Sequence, residues 1–108
     1  KCPDCGQALY KKDLDANLQV CPKCAHHFRL GAADRLAMLF DGPWVEHDRE
    51  LASTDPLHFI DTKPYSQRLR TAQEASGLRD AIICGTGAIE GIETEVAAME
   101  YSFIGGSM

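Results

Sequence analysis

Cys2-Pro-Asp-Cys5 and Cys21-Pro-Lys-Cys24 are two matched cysteine pairs with fifteen residues between them. This spacing is typical of a site in which four thiolates hold one metal ion. Each pair can form a tight turn that directs two sulfur atoms toward one point, and zinc favours a tetrahedral set of sulfur ligands. The sequence therefore predicts a zinc site whose ligands are Cys2, Cys5, Cys21 and Cys24.

Other interpretations of the four cysteines fit the sequence less well. Two disulfide bonds would require an oxidising compartment, and the chain shows no signal peptide. A redox-active CxxC motif usually stands alone beside a βαβ unit. His26 and His27 are close enough to compete as ligands, but four thiolates already complete the zinc shell, so both are expected to be exposed or lightly packed. Iron suits the same thiolates and stays an open alternative.

The residues that follow the two pairs differ in a way that matters for the turns. Gly6 follows the first pair, where a backbone free to adopt a positive φ helps the turn to close. Ala25 follows the second pair, so that turn lacks the glycine. The second turn is therefore expected to be less ideal, although no ligand is lost.

Length and charge limit the class of protein. The 108 residues, with a formal net charge of −5, fit one domain or a small metal module joined to part of a larger domain. Residues 1–30 hold five Lys or Arg against three Asp or Glu, and residues 31–108 hold six against thirteen. Zinc bound by four thiolates would bring the first segment near neutrality, which leaves no strong electrostatic signature of nucleic-acid binding.

The hydrophobic pattern gives no sign of a membrane segment. No apolar run approaches the roughly eighteen residues that a membrane-crossing helix needs. A reduced, cytoplasmic protein with no membrane partner is therefore expected.

The chain between the cysteine pairs is predicted to form a zinc-ribbon hairpin. Two short strands, residues 7–11 and 18–20, would be joined by the polar turn of residues 12–17.

Two helices are predicted after the metal-binding segment. The first begins after its N-cap Gly31 and stops at Gly42-Pro43. Its apolar face is formed by Ala32, Leu36, Leu39 and Phe40. The second is capped by Thr62 and ends at Gly77 in the left-handed conformation. Its buried face is formed by Tyr65, Leu69, Ala72 and Ser76.

Three strands are predicted at residues 44–48, 81–89 and 92–104, the last of which would finish in a core. Glu90-Gly91 is the two-residue turn that joins the last two strands. Gly85 and Gly87 indicate close packing or a bulge. Cys84 has no adjacent cation to activate its thiol, so it is expected to be a small buried hydrophobe.

Segments spread over the whole chain carry a resemblance to a known family. They are CPDCGQALY (2–10), VCPKCAHHFRL (20–30), DRLAMLFD (34–41), DPLHFIDTKPYSQRL (55–69) and EYSFIGGSM (100–108). The cysteine pattern alone is common among zinc ribbons, but its combination with HHFR, KPYSQRL and FIGGSM is specific. In these segments the chain resembles the β subunit of bacterial acetyl-CoA carboxylase carboxyltransferase.

The resemblance implies an α+β chain in two parts. Residues 1–30 would be a four-cysteine zinc-ribbon domain. Residues 31–108 would be linker helices and the first strands of a crotonase-like domain, which is built from repeated ββα units. Nothing in the sequence terminates a domain after Gly105-Gly106-Ser107-Met108, so the chain is expected to be an N-terminal fragment that is inactive alone.

The resemblance also implies an activity and partners. The family moves a carboxyl group from carboxybiotin, held on a biotin carboxyl carrier protein, to acetyl-CoA. The product, malonyl-CoA, begins fatty-acid biosynthesis. The expected partners are a carboxyltransferase α subunit in an α2β2 assembly, the carrier protein and biotin carboxylase. The preference for acetyl-CoA over other acyl-CoA thioesters stays open.

The glycine pair Gly105-Gly106 is the candidate catalytic feature. Carboxyl transfer develops negative charge on the thioester and biotin oxygens, and such charge needs preorganised donors. By resemblance, the backbone N–H groups of Gly105 and Gly106 would be these donors; the alternative is a simple turn. Ser107 lies outside any nucleophile elbow motif. Glu100 and His58 are expected to be structural.

A zinc-ribbon module that binds nucleic acid, or that only holds subunits together, is the alternative function. The first thirty residues carry a set of cations suited to phosphate: Lys1, Lys11, Lys12, Lys23 and Arg29. Against this interpretation, Tyr10 and Phe28 are the few aromatic platforms available for stacking bases.

Overall fold

The computed structural model describes residues 1–106, which separate into two compact units. The first unit is Lys1–Leu30, and the second begins at Gly31. Ser107 and Met108, which end the second predicted region, lie outside the described residues. Within the described part of the chain, no helix is long and apolar enough to cross a membrane.

The first unit contains one short helix where a hairpin was predicted. Helix α1 is Lys11–Ala16, and the prediction of strands at residues 7–11 and 18–20 is wrong. The sequence KKDLDA has no β-branched residue and is rich in residues that tolerate a helix. Leu18 and Gln19 adopt left-handed backbone conformations, with φ of 54° and 61°, which interrupt any extended strand. A single bridge pairs Val20 with His27.

The second unit combines two helices with a three-stranded antiparallel sheet. Its elements are α2 (Ala32–Leu39), β1 (Val45–His47), α3 (Tyr65–Ser76), β2 (Ile82–Ile89), β3 (Ile92–Met99) and a final 3-10 turn (Ile104–Gly106). The strands are ordered β1-β2-β3 in the sheet. An α+β unit with a central hairpin is thus confirmed.

The hairpin of β2 and β3 runs in continuous register from the pair Ile82–Met99 to the pair Ile89–Ile92. Glu90 and Gly91 form its two-residue turn with φ of 50° and 77°. Two positive φ angles match the turn type whose twist suits a hairpin, so the predicted turn is confirmed.

Glycines in β2 let aromatic side chains lie directly against the sheet. A Cβ atom at Gly85 would meet the Trp44 ring at 2.5 Å, and one at Gly87 would meet the Phe40 ring at 2.6 Å. The two rings stack on each other with centroids 5.9 Å apart. The sequence allowed either close packing or a bulge, and the structure has close packing.

The core of the second unit forms two clusters of buried side chains. One joins α2 to the sheet through Ala32, Leu36, Phe40, Ile83 and Ala98. The other lies between α3 and the end of the chain and contains Leu69, Ala81 and Phe103. The predicted apolar faces of both helices contribute to these clusters, except that Leu39, predicted on the face of α2, is exposed.

The ends of α3 show one correct and one wrong prediction. Gly77 has φ of 74° and caps the C-terminus in the left-handed conformation, as predicted. The N-cap is Pro64 rather than Thr62, and no side chain caps the helix. The preceding turn is held by Asp61, whose carboxylate accepts hydrogen bonds from the Lys63 N–H at 3.0 Å and the Arg68 guanidinium at 2.7 Å. These bonds lower the pKa of Asp61, the Lys63 N–H most strongly.

Strand β3 ends at Met99, five residues before the predicted end at Ile104. Met99 is 53% exposed, so the strand itself does not finish in the core. The predicted segment nevertheless does, because Phe103 is buried in the second cluster. Glu100, the residue after the strand, is held by hydrogen bonds of its backbone and of its side chain. Its N–H donates to the Ala81 carbonyl, and its carboxylate accepts from the Ala32 N–H at 2.8 Å.

Candidate metal centre

The four predicted cysteine ligands meet at one point. Their Sγ atoms all lie within 4.8 Å of one another, with 3.6 Å between Cys2 and Cys24 and 3.9 Å between Cys5 and Cys21. A tetrahedral zinc ion with Zn–S bonds of about 2.3 Å places its sulfur atoms about 3.8 Å apart. The two short S–S distances therefore suit a single four-thiolate zinc ion.

Two matching loops, which we call the knuckles, carry these cysteines. The first knuckle is residues 2–7, in which the Gly6 N–H donates to the Cys2 carbonyl and the Cys2 N–H donates to the Gln7 carbonyl. The second knuckle, residues 21–26, repeats both bonds from Ala25 to Cys21 and from Cys21 to His26. This repeated pattern directs both thiols of each pair toward the same point.

The closing residue of each knuckle is left-handed. Gly6 has φ of 68° and Ala25 has φ of 59°. Glycine adopts this conformation without steric cost, whereas alanine does not. The expected disadvantage of Ala25 is thus a specific backbone strain in the second knuckle.

The thiols influence one another's ionisation. Burial would raise the pKa of Cys21, but the N–H groups of Lys23 and Cys24, together with neighbouring thiols, lower that pKa to about 7. The His26 N–H would lower the pKa of Cys24, but desolvation of its thiol and the other three thiols raise that pKa to about 12. Cys21 thus ionises near neutrality while Cys24 keeps its proton. A divalent cation would displace that proton and bind both as thiolates.

The donor set fits a structural zinc ion. Four sulfur donors fill a tetrahedral shell and leave no position for water or substrate. Cys2 and Cys21 are buried, while Cys5 is half-buried and Cys24 is exposed. The arrangement can cross-link the two knuckles, and it has no open coordination site for chemistry.

The neighbouring histidines are outside the thiol cluster. His26 is half-buried, accepts or donates a 2.8 Å hydrogen bond to the Asp4 carboxylate, and packs edge-on against Phe28. His27 is exposed and belongs to the bridge with Val20. Sequence reasoning missed the Asp4–His26 bond, because spacing alone does not say which side chains of the two knuckles meet.

The candidate catalytic glycines lie in the final 3-10 turn of the second unit. Gly105 and Gly106 have φ of 69° and 77°, so both need the freedom of glycine. The Gly106 N–H donates to the Phe103 carbonyl at 2.8 Å. A Cβ at Gly106 would also meet the Met99 Sδ at 2.7 Å. The turn thus has a structural reason for glycine, and the predicted donor role stays a prediction.

The remaining residues considered from the sequence have structural surroundings. Cys84 is half-buried and lines a groove beside the loop of residues 48–51, so it is less buried than predicted. Glu100 accepts hydrogen bonds from Ala32 and from Ser102, which fits its predicted structural role. The N–H of His58 donates to the Asp55 carbonyl in a turn.

The thiol cluster and its paired knuckles define a four-cysteine zinc ribbon. A family model described as "Acetyl-CoA carboxylase zinc finger domain" matches residues 1–24. This match covers both knuckle cysteine pairs and agrees with the zinc interpretation.

Full-length comparison extends the similarity to the second unit. The chain is 52% identical over its whole length to the acetyl-coenzyme A carboxylase carboxyl transferase subunit beta of Synechococcus sp. (strain JA-2-3B'a(2-13)), of which it covers 35%. It is 50% identical to the same-named protein of Pelobacter propionicus and 48% identical to that of Thermus thermophilus, again over all of this chain and 38% of each relative. Over its whole length the chain is therefore similar to beta subunits of this name, and it spans a little over a third of the length of these curated relatives. The comparisons favour the family interpretation over a nucleic-acid-binding or purely structural zinc module.

Proposed function

We propose that this chain is the zinc-ribbon part and the following segment of a carboxyltransferase β subunit. The complete enzyme would transfer the carboxyl group from carboxybiotin on its carrier protein to acetyl-CoA, forming malonyl-CoA for fatty-acid biosynthesis in the cytoplasm. The observation that carries the proposal is identity near 50% over the whole chain with proteins named for this activity. That similarity covers both units, so it does not rest on the common cysteine pattern alone.

The second unit would open the crotonase-like domain. The hairpin of β2 and β3, followed by a glycine turn, supports this, because a crotonase-like domain is built from repeated ββα units. The rest of that domain, an α subunit in an α2β2 assembly, the carrier protein and biotin carboxylase would complete the machinery. The present chain alone is therefore proposed to be inactive.

The zinc ion would be held by Cys2, Cys5, Cys21 and Cys24. Their mutual distances and their filled tetrahedral shell support this assignment. When bound, the metal would supply a cross-link between the knuckles and no reactive centre. The unit of residues 1–30 would then have a structural role and would take no direct part in the chemistry.

The glycine turn would contribute to the carboxyl transfer step. Backbone N–H groups at Gly105 and Gly106 would stabilise the negative charge that develops on the reacting oxygens. The Gly106 N–H now donates to Phe103, so that bond would be exchanged for one to the oxyanion. Positive φ at both glycines supports a turn that other residues would form only with strain.

A chimeric β subunit tests the proposed activity. This chain would replace the matching segment of the Thermus thermophilus β subunit, which is 48% identical to it. The chimera would be assembled with its α partner and assayed for malonyl-CoA-dependent carboxylation of a free biotin derivative. We expect turnover within about tenfold of the parent enzyme. A folded, zinc-loaded complex without turnover would contradict the proposal.

A matched pair of glycine variants tests the glycine turn in the same chimera. Gly105 and Gly77 have φ of 69° and 74°, and a Cβ at either would have no atom within 4 Å. Gly105→Ala and Gly77→Ala therefore impose the same backbone strain at different places. We expect Gly105→Ala to lower kcat by about tenfold or more and Gly77→Ala to leave kcat nearly unchanged. An equal loss of kcat in both variants would mean that the glycine turn has only a structural role.

A further inference from the structure

One polar contact joins the two knuckles without using a thiol. Asp4 lies in the middle of the first knuckle, and His26 is the last residue of the second. The Asp4 Oδ2 and His26 Nδ1 atoms are 2.8 Å apart, although the residues are 22 positions apart in the chain. The two side chains are 62% and 26% exposed, so the bond is at the surface on one side and packed on the other.

The His26 ring is held in place by its own knuckle. Its edge-on contact with Phe28 has a centroid distance of 4.9 Å and an interplanar angle of 84°. The backbone carbonyl of His26 accepts the hydrogen bond from the Cys21 N–H that closes the second knuckle. The ring is thus packed beside its own knuckle, and Asp4 belongs to the first knuckle, next to Cys5.

We propose that the Asp4–His26 hydrogen bond is a clasp that holds the two knuckles together and slows the release of the bound metal. The clasp rests on the proposed four-thiolate site and is independent of carboxyl transfer. Neither side chain is a ligand, so Asp4 and His26 are positioning residues. Each knuckle supplies two thiolates, and metal release requires one pair of thiolates to move away from the other pair. A bond between the knuckles opposes that movement and raises the chance of recapture.

Metal release from the 108-residue chain measures the clasp directly. The chain would be loaded with Co²⁺, whose thiolate absorption reports the ligand set, and mixed with excess chelator. We expect Asp4→Ala and His26→Phe to speed release about fivefold, within the range that a single intramolecular hydrogen bond contributes. His26→Phe keeps an aromatic ring against Phe28. The Co²⁺ spectrum should stay that of four thiolates in both variants.

Three further variants separate the clasp from a general loss of stability. Asp4→Asn keeps an acceptor oxygen and should restore slow release. The double variant Asp4→Ala/His26→Phe should be no faster than either single variant, because both break the same bond. Asp15→Ala is the matched control: it removes a 2.6 Å bond to Gln19 that does not join the knuckles, and it should not change release.

Several outcomes would overturn the proposal. They are release as slow as in the unmodified chain in both single variants, an equal acceleration by Asp15→Ala, no rescue by Asp4→Asn, or multiplied effects in the double variant. If the unmodified chain gave no four-thiolate Co²⁺ spectrum, the proposed metal site itself would be wrong. That result is distinguishable from a failure of the clasp alone.

Discussion

At the scale of single residues, Gly6 and Ala25 perform the same backbone task with different side chains. Both close a knuckle with a left-handed conformation, at φ of 68° and 59°. For an alanine this conformation costs about 1–2 kcal/mol, offset in part by the greater freedom of glycine in the unfolded chain. The strain in the second knuckle is therefore a local cost that a single substitution can relieve.

Ala25→Gly should stabilise the metal-loaded first unit by about 0.5–1 kcal/mol, and Gly6→Ala should destabilise it by about 1 kcal/mol. No atom lies within 4 Å of a Cβ at Gly6, so the backbone accounts for the effect. Thermal unfolding of the zinc-loaded variants measures both changes. Destabilisation by Ala25→Gly would contradict the strain.

The thiol pKa values predict how metal uptake depends on pH. Thiolates bind metal and protons compete for them. Because the pKa of Cys24 is about 12, affinity should fall with every drop in pH near neutrality, and more steeply below about 7, the pKa of Cys21. Uptake should also release more than one proton, since the pKa of Cys24 is raised to about 12. Co²⁺ titrations from about pH 5.5 to 8 would measure this dependence. A constant affinity over that range would show that protons do not compete at the site.

The lowered pKa of Glu100 predicts that the second unit loses stability in acid. Hydrogen bonds from the N–H of Ala32, and then from Ser102, lower the pKa of its carboxyl group. A folded-state pKa below the unfolded value of about 4.3 stabilises the fold above that pH, and this stabilisation is lost as the pH falls through the folded-state pKa. Glu100→Gln should therefore flatten the dependence of unfolding free energy on pH below about 5. Glu93→Gln on the exposed start of β3 is the control, and an equal flattening there would assign the effect elsewhere.

At the scale of elements, one carboxylate anchors the central hairpin. The two Asp41 oxygens accept hydrogen bonds from the N–H groups of Glu90 and Gly91 at 3.0 and 2.9 Å. The Asp41 N–H also donates to the Ala88 carbonyl. This residue thereby ties the end of α2 to the turn between β2 and β3.

Asp41→Ala should lower the free energy of unfolding of the second unit by about 1–2 kcal/mol, because two backbone donors lose a charged acceptor. Asp41→Asn, which keeps one acceptor oxygen, should lose less. Urea unfolding measures both. Equal losses in the two variants would mean that the hydrogen bonds contribute little.

Elements with local signals were predictable, and those that depend on distant contacts were not. Glu90-Gly91 and Gly77 adopt the positive φ that their sequence positions predict. The left-handed Leu18 and Gln19 carry no such signal, so the hairpin predicted between the cysteine pairs was wrong. Asp41 and Glu100 act on backbone groups 49 and 68 positions away, which local patterns cannot indicate.

The metal site shows the same division. Cysteine spacing predicted that four thiols would meet, because each CxxC turn fixes the direction of two of them. The Asp4–His26 contact depends on how the knuckles face each other, which the spacing does not determine. The role of Gly105 and Gly106 came from family resemblance and stays a prediction.

At the scale of the whole molecule, the two units differ in what holds them together. In residues 1–30 the buried side chains are Cys2 and Cys21, whereas the second unit has two apolar clusters. A segment of thirty residues with so little core depends on its metal. Removing the metal should therefore affect the units unequally.

Chelation of the metal should unfold residues 1–30 and leave the hairpin of β2 and β3 intact. Hydrogen exchange, followed residue by residue before and after chelation, measures this. The amides of the knuckles should lose protection, while those of residues 82–99 should keep it. Loss of protection in the hairpin would show that the metal stabilises the second unit as well.

Trp44, packed against Gly85, gives the second unit an optical signal of its own, separate from that of the metal site in the first unit. Trp44 is the one tryptophan in the chain, and its ring lies on the sheet of the second unit. Its fluorescence should report unfolding of that unit. In the Co²⁺-loaded chain, the thiolate-to-Co²⁺ charge-transfer absorption should report unfolding of the first unit. A single sample, heated once and followed at two wavelengths, would therefore reveal whether the two transitions coincide.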